Sequence, residues 1–294
     1  MLRGVLTALV TPFRDGAVDE TALRRLLELQ IRAGVSGVVL CGSTGEAATL
    51  TRDERRRVSA LGIELCRGSQ TQAWIGTGTN DTRTSIELTQ EAQELGAAGA
   101  MIVAPYYNKP TQEGLFRHFA AVANATTLPL ILYNVPGRTG VNVLPETVAR
   151  VAELGRYAAV KEASGSLDQV SDIRARCDLT VLSGDDSLTL PMMAVGAEGV
   201  ISVVSNLLPR ATRHLVDAFH AGNLEDARMW HFRLLPFFKA AFIETNPAPI
   251  KAWLELTGTA RAETRLPLVP ASAKARGELE ALLNAATWRH EVEA

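Results

Sequence analysis

Short apolar runs without polar alternation recur along the chain, each ending in a polar or glycine-rich turn. They are Val5–Val10, Gly37–Cys41, Trp74–Thr77, Ala100–Val103, Leu130–Tyr133, Ala158–Lys161, Thr180–Ser183 and Gly199–Val203. Continuous apolar runs of this length are the mark of strands buried on both faces. Helix signals fill the intervals. Asp19-Glu20-Thr21 opens Ala22–Ala33, where Leu23, Leu26, Leu27, Gln30 and Ile31 share one face and Gly34 is the stop. Thr51-Arg52-Asp53-Glu54 is a capping box. Asp81-Thr82 opens Arg83–Leu95, ended by Gly96; Thr111-Gln112-Glu113 opens Gly114–Ala125; and Pro145-Glu146 begins Thr147–Leu154.

Eight strands alternating with helices match a (β/α)8 barrel, whose size is roughly 250 residues. A doubly wound open sheet is the alternative, because strand order is not written in the chain. From Asn223 the pattern turns purely helical: Leu224–Phe238, Pro249–Thr257 and a last helix near Ala271–Ala286. The expected organisation is a catalytic barrel over residues 1–222 and a helical domain over 223–294.

Composition narrows the function classes. The chain of 294 residues is 47% hydrophobic and 21% charged, with a net charge of −2, which argues against a nucleic-acid surface. No stretch is long and apolar enough to span a membrane. The opening MLRGVLTALVTPF lacks a basic region, a full apolar core and a cleavage site, so it does not read as a signal peptide. Three widely spaced cysteines, Cys41, Cys66 and Cys177, point to a reducing, cytoplasmic setting and to neither a disulfide framework nor a metal knuckle.

Barrel chemistry sits at the C-terminal ends of the strands. There the sixth run, Tyr157-Ala158-Ala159-Val160, finishes on Lys161, one of only five lysines in a chain that otherwise uses arginine. A desolvated lysine is a nucleophile able to form a Schiff base with a ketone; a strand-end lysine can equally snorkel to water. Gly42-Ser43-Thr44-Gly45-Glu46 follows the second run and exposes consecutive amides that suit a carboxylate or phosphate, or it is an ordinary turn. Tyr133 is a candidate proton carrier or a packing ring. Arg138, in the loop Val135-Pro136-Gly137-Arg138-Thr139-Gly140, suits a carboxylate clamp or solvent. Tyr106 and Tyr107 are adjacent aromatics on a loop, a hint of a subunit contact. The five histidines fall in helical segments, and no phosphate-loop motif is present, so a zinc site, a Ser-His-Asp relay and a nucleotide site are not expected. An amine, a phenol, an anion-binding turn and an arginine on one rim suit imine chemistry on small anionic keto acids.

The set GSTGE, PYYN, YNVPGRTG, VKEASG, SGDD and ETNPAPIK, spread from about Gly4 to Pro267, resembles the dihydrodipicolinate synthase family of pyruvate-dependent class I aldolases. The resemblance implies a (β/α)8 barrel with a C-terminal helical domain, assembled as a homotetramer, a dimer of dimers. It implies condensation of pyruvate with L-aspartate 4-semialdehyde in lysine and diaminopimelate synthesis, with no cofactor beyond the covalent Schiff base and no metal. By the same resemblance Lys161 forms the imine and Tyr133 transfers protons. Thr44 links Tyr133 to a Tyr107 from the neighbouring subunit. The amides of Ser43 and Thr44 hold the pyruvate carboxylate, Arg138 binds the semialdehyde carboxylate, and Gly184 and Ile201 line the pocket. Rival readings are another aldolase of the superfamily, acting on a sugar acid or 4-hydroxy-2-oxoglutarate, and a non-catalytic binding barrel.

Two departures stand out. Many members have Thr-Thr where this chain has Ser43-Thr44, which keeps the hydroxyl and the amide. Lysine-inhibited members hold the lysine carboxylate with residues kept here as Asn80 and Tyr106. Where they meet its ammonium groups with a glutamate and histidines, this chain has Thr84, Arg52 and Arg55. Feedback by L-lysine is therefore expected to be weak or absent.

Overall fold

The computed structural model describes residues 2–289. Its strands are β1 (Gly4–Ala8), β2 (Phe13–Arg14), β3 (Ala17–Val18), β4 (Gly37–Leu40), β5 (Gln72–Gly76), β6 (Gly99–Val103), β7 (Leu130–Asn134), β8 (Tyr157–Glu162), β9 (Thr180–Ser183) and β10 (Gly199–Ser202). Eight of them close a barrel in the order β1-β10-β9-β8-β7-β6-β5-β4. Neighbouring strands pair in parallel, as at β1 with β4 and β7 with β8. All eight apolar runs are barrel strands, to within a residue or two at each end. The closed ring overturns the open-sheet alternative.

The helices between them are α1 (Glu20–Ala33), α2 (Arg52–Cys66), α3 (Thr82–Leu95), α4 (Gln112–Asn124), α5 (Pro136–Thr139), α6 (Pro145–Ala152), α7 (Leu167–Arg176), α8 (Thr189–Ala194) and α9 (Pro209–His220). Their ends follow the expected chemistry. The Asp19 carboxylate accepts from the Ala22 amide at the start of α1, and Gly34 ends it at φ 68°, a left-handed geometry glycine adopts without penalty. The capping box of Thr51 and Glu54 is complete at α2, and each such cap contributes about 1 kcal/mol.

Two features depart from the sequence reading. β2 and β3 form an antiparallel hairpin around Asp15 and Gly16, with φ of 53° and 83°, ahead of the first helix. The Val135–Gly140 segment, expected as a loop, contains the four-residue helix α5, started by Pro136 and ended by Gly140 at φ 73°. Of the histidines, His118 lies in α4, His214 and His220 in α9, and His231 in the later helix Leu224–Ala240; His290 lies outside the described residues.

The chain divides into two compact units, one holding Ala73–Ile201 and the other Val5–Gln72 with the chain from Ser202 onward. The first contains β5 to β9. The second contains β1, β4 and the C-terminal helices α10 (Leu224–Ala240), α11 (Ala248–Leu256) and α12 (Ala273–Ala285). In the second unit Trp253 of α11 is fully buried, packs 5.5 Å from the Phe237 ring of α10, and donates from Nε1 to the Leu279 carbonyl of α12 at 2.9 Å. One indole thus ties the three C-terminal helices together.

Candidate active site

The alternation of a strand sends neighbouring residues to opposite faces. In the first unit, β7 and β8 pair so that Tyr133 lies opposite Lys161 and Asn134 opposite Glu162. The first pair meets: Lys161 Nζ lies over the Tyr133 ring, 4.2 Å from its centroid. Both are buried, Lys161 at 5% exposure and Tyr133 at 6%. Burial disfavours the charged amine and lowers Lys161 to about 8, against the raising pull of Asp186 and Asp185; Arg138 lowers it further. Burial likewise pushes the Tyr133 phenol up to about 12, with Arg138 opposing and Asp185 and Glu162 assisting. At neutral pH the phenol is therefore protonated, and a usable fraction of the amine is not.

Gly184 is required by space. A Cβ there would lie 2.6 Å from Ala163 Cβ and 3.2 Å from Lys161 Cε, so the missing side chain leaves room for the lysine stem. The Gly184 amide donates to the Glu162 carbonyl at 2.8 Å. Burial raises the next residue, Asp185, while Lys161 lowers it. Ile201 is fully buried in β10.

Arg138 stands exposed on α5, and its charge is felt at both Lys161 and Tyr133. The loop of Tyr107 reaches the same helix, its amide donating to the Thr139 carbonyl at 3.2 Å. The ring does not join Lys161 within its own chain: Tyr107 is 88% exposed and has a left-handed backbone, φ 74°.

Ser43 and Thr44 belong to the second unit. Cys41 and Glu46 bracket their turn with φ of 52° each. A Cβ on Gly45 would approach the Leu9 carbonyl to 3.1 Å, a tight contact that any side chain there would have to push against. Its internal hydrogen bonds run from the Glu46 amide to the Ser43 carbonyl and from Ala47 to Gly42; among the described residues none uses the Ser43 or Thr44 amide. Thr44 is buried, and its hydroxyl accepts from Asn246 Nδ2 at 2.9 Å.

Sequence reasoning missed what supports these turns. Glu46 pairs with Lys251 of α11 in a contact where both side chains are 1% exposed. Lys251 also donates to the Glu263 carbonyl at 2.8 Å and lies 4.2 Å from the Phe13 ring centroid. Burial lowers its amine to about 8, with Glu46 as the largest opposing influence. The signal was available: Lys251 interrupts an apolar helix just as Lys161 ends an apolar strand. Among the described residues no group of three or more His, Cys, Asp or Glu is placed to hold a metal ion.

A closed parallel barrel that buries an amine at a strand end beside a phenol is the arrangement expected above for a class I aldolase. The Dihydrodipicolinate synthetase family model matches residues 1–286, and the chain belongs to that family. It is 53% identical over 281 residues to a 4-hydroxy-tetrahydrodipicolinate synthase of Geotalea daltonii, covering 95% of this chain and 97% of that protein. Among solved structures it is similar to dihydrodipicolinate synthase from Thermotoga maritima (TM-score 0.95, 44% identity, 97% and 99% of the two chains). It is also similar to the enzyme from Cyanidioschyzon merolae with lysine bound (TM-score 0.94, 40% identity, 97% and 98%).

Proposed function

We propose that this chain condenses pyruvate with L-aspartate 4-semialdehyde as a 4-hydroxy-tetrahydrodipicolinate synthase, serving lysine and diaminopimelate biosynthesis. The observation that carries the reading is the buried Lys161 amine, lowered to about 8 and held over the Tyr133 ring. The neutral amine attacks the pyruvate ketone, and the carbinolamine loses water to give an imine. Loss of a methyl proton gives an enamine, whose carbon attacks the semialdehyde carbonyl. The semialdehyde's own amine then displaces Lys161, closing the ring and freeing the lysine. Tyr133, protonated at working pH, donates to the departing hydroxyl and to the developing aldol oxygen.

The remaining roles rest on the family resemblance and on local geometry. Ser43 and Thr44 offer amides to the pyruvate carboxylate, supported by a turn whose own hydrogen bonds leave those two amides out. Thr44 and a Tyr107 from a second copy form the relay behind Tyr133, supported by the exposed Tyr107 ring. Arg138 receives the semialdehyde carboxylate, and Gly184 and Ile201 line the site. The working organisation is a catalytic barrel over 1–222 with a helical domain over 223–294, in a cytoplasmic homotetramer without a separate cofactor. Among the described residues no helix is long and apolar enough to cross a membrane.

The test is reductive trapping. Pyruvate with borohydride should add irreversibly to Lys161, located by peptide mass spectrometry, and Lys161→Ala should lose both the adduct and turnover by several orders of magnitude. An adduct on Lys251, or none, would refute the mechanism. Faster cleavage of 4-hydroxy-2-oxoglutarate or a sugar acid than condensation of the semialdehyde would move the chain to a sister activity.

A further inference from the structure

Immediately beyond the reactive pair lies a buried carboxylate that the proposed chemistry does not use. Glu162 is 1% exposed, and no cation pairs with it among the described residues. Its oxygens accept from Asn134 Nδ2 at 3.0 and 3.3 Å, from the Ser164 amide at 2.7 Å and from Gln169 Nε2 at 3.0 Å. Asn134 is fully buried; its Nδ2 also donates to Asn142 Oδ1 at 2.8 Å, and its Oδ1 accepts from the Val143 amide at 3.0 Å. Asn142 closes the ring by donating to Gln169 Oε1 at 2.7 Å. β7, β8, α7 and the segment before α6 are thereby joined by four side chains. A lone buried carboxylate is costly and a poor source of stability. Its place, however, is specific. Asn134 and Glu162 sit opposite each other one step past Tyr133 and Lys161, so their contact fixes the pleat that aims the other pair.

We propose that Glu162, held by Asn134 and Gln169, is a positioning residue that keeps the Lys161 amine buried over the Tyr133 ring. The proposal rests on the imine-forming role of Lys161 for its consequence, while the placement itself is independent of substrate. The clamp works through donor and acceptor matching: every partner presents an N–H to the carboxylate. Glu162→Gln keeps the volume and sets an NH2 against those donors. The swap Asn134→Asp with Glu162→Gln restores the match once the Asn142 and Gln169 amides turn over.

The experiment measures two quantities on the full-length protein. One is the pH dependence of Lys161 acetylation by trace acetic anhydride without substrate. The other is the maximal rate of pyruvate adduct formation. The groups acting on Lys161 are Asp186, Asp185 and Arg138, with the Tyr133 ring, and none is altered. Glu162→Gln should raise the labelling midpoint of Lys161 by one unit or more, because a released amine reaches water. Loss of a negative charge alone would move it down, and a purely structural role would leave it in place. The adduct rate should fall at least tenfold with pyruvate KM changed less than threefold, and the swapped pair should recover to within threefold. Should Glu162→Gln not fold, Gln169→Ala must raise the same midpoint at the far side of the ring. An unmoved or lowered midpoint in a folded variant, or a swap that recovers melting temperature without recovering the midpoint, overturns the proposal. Absence of any pyruvate adduct in the unaltered protein would instead defeat the catalytic reading alone, since the labelling midpoint does not depend on pyruvate.

Discussion

Lys161 and Lys251 are both buried and both lowered to about 8 by desolvation, yet they are equipped for opposite ends. The buried Lys251 amine is enclosed by the Glu46 carboxylate and the Glu263 carbonyl, which leaves no approach for a ketone. Lys161 lies over a ring, with carboxylates contributing only at a distance. Only the unprotonated amine attacks, so the adduct rate at saturating pyruvate should rise with pH up to about 8 and level off above it. An ordinary lysine would keep gaining until about 10.4. Quenched-flow trapping from pH 6 to 10 reads the difference, and a continued rise past pH 9 would contradict the burial. Arg138 makes a second residue-scale case. On the role proposed for Arg138, Arg138→Ala would remove one charge-assisted contact and cost roughly 1.5–3 kcal/mol in kcat/KM for the semialdehyde. The half-reaction with pyruvate should be far less affected, and equal damage to both would count against the assigned role.

At the scale of elements, one turn of the protein and the helix after it are held from outside by segments distant in the chain. The turn of Ser43 and Thr44 is gripped at alternate residues: Asn246 donates to Thr44, and Lys251 pairs with Glu46. The Glu46 carboxylate accepts in addition from the Arg265 amide at 3.0 Å. Removing one partner of a buried ion pair leaves an uncompensated charge, which costs about 3–5 kcal/mol. Lys251→Met should therefore destabilise the protein by that amount in denaturant titration. The double change Lys251→Met with Glu46→Met should lose much less, because two apolar side chains replace two charges. A single variant as stable as the parent would show that water or another cation reaches Glu46. Arg265 extends the same support to α2: hydrogen bonding from its guanidinium lowers the Glu54 carboxyl to about 2. The helix that follows the turn is thus anchored by the same C-terminal segment that anchors the turn.

For the whole molecule, the expectation for L-lysine turns on the positive charge that Arg52 and Arg55 place on α2. Arg52 is exposed at the start of α2, and Arg55, half-buried, donates from Nη1 to the Ala47 carbonyl at 3.4 Å. Thr84 already donates its hydroxyl to the Asp81 carboxylate at 2.6 Å. Like charges about 4 Å apart repel by roughly 4 kcal/mol at an effective dielectric near 20. Millimolar L-lysine should leave the steady-state rate unchanged or lower it slightly. Strong, saturable inhibition below 1 mM, a bound set here on the order of an affinity of 4 kcal/mol, would refute this.

Much of this protein was legible as a string of residues. The eight barrel strands are uninterrupted apolar runs because both of their faces are covered, and the helices between them announce their ends with Asp19, Thr51, Gly34 and Gly96. Lys161 was singled out by the same physics, a charge at the end of an apolar run. The hairpin of β2 and β3 escaped because each strand is two residues long, too short for periodicity to register, although Asp15-Gly16 is a turn signal. Helix α5 escaped for a like reason: Pro136 and Gly140 mark its ends but enclose only four residues. Strand pairing was beyond the string altogether. Register alone sets Tyr133 opposite Lys161 and Asn134 opposite Glu162, and nothing local to either strand states it. Glu46 and Lys251 are 205 residues apart, and only folding brings them into contact. Local patterns determine what each element is, because propensity and burial act along the chain. Which side chains meet, and therefore which buried lysine is ion-paired and which lies over a ring, is decided by packing between elements, where the cost of burying a charge depends on the partner it finds.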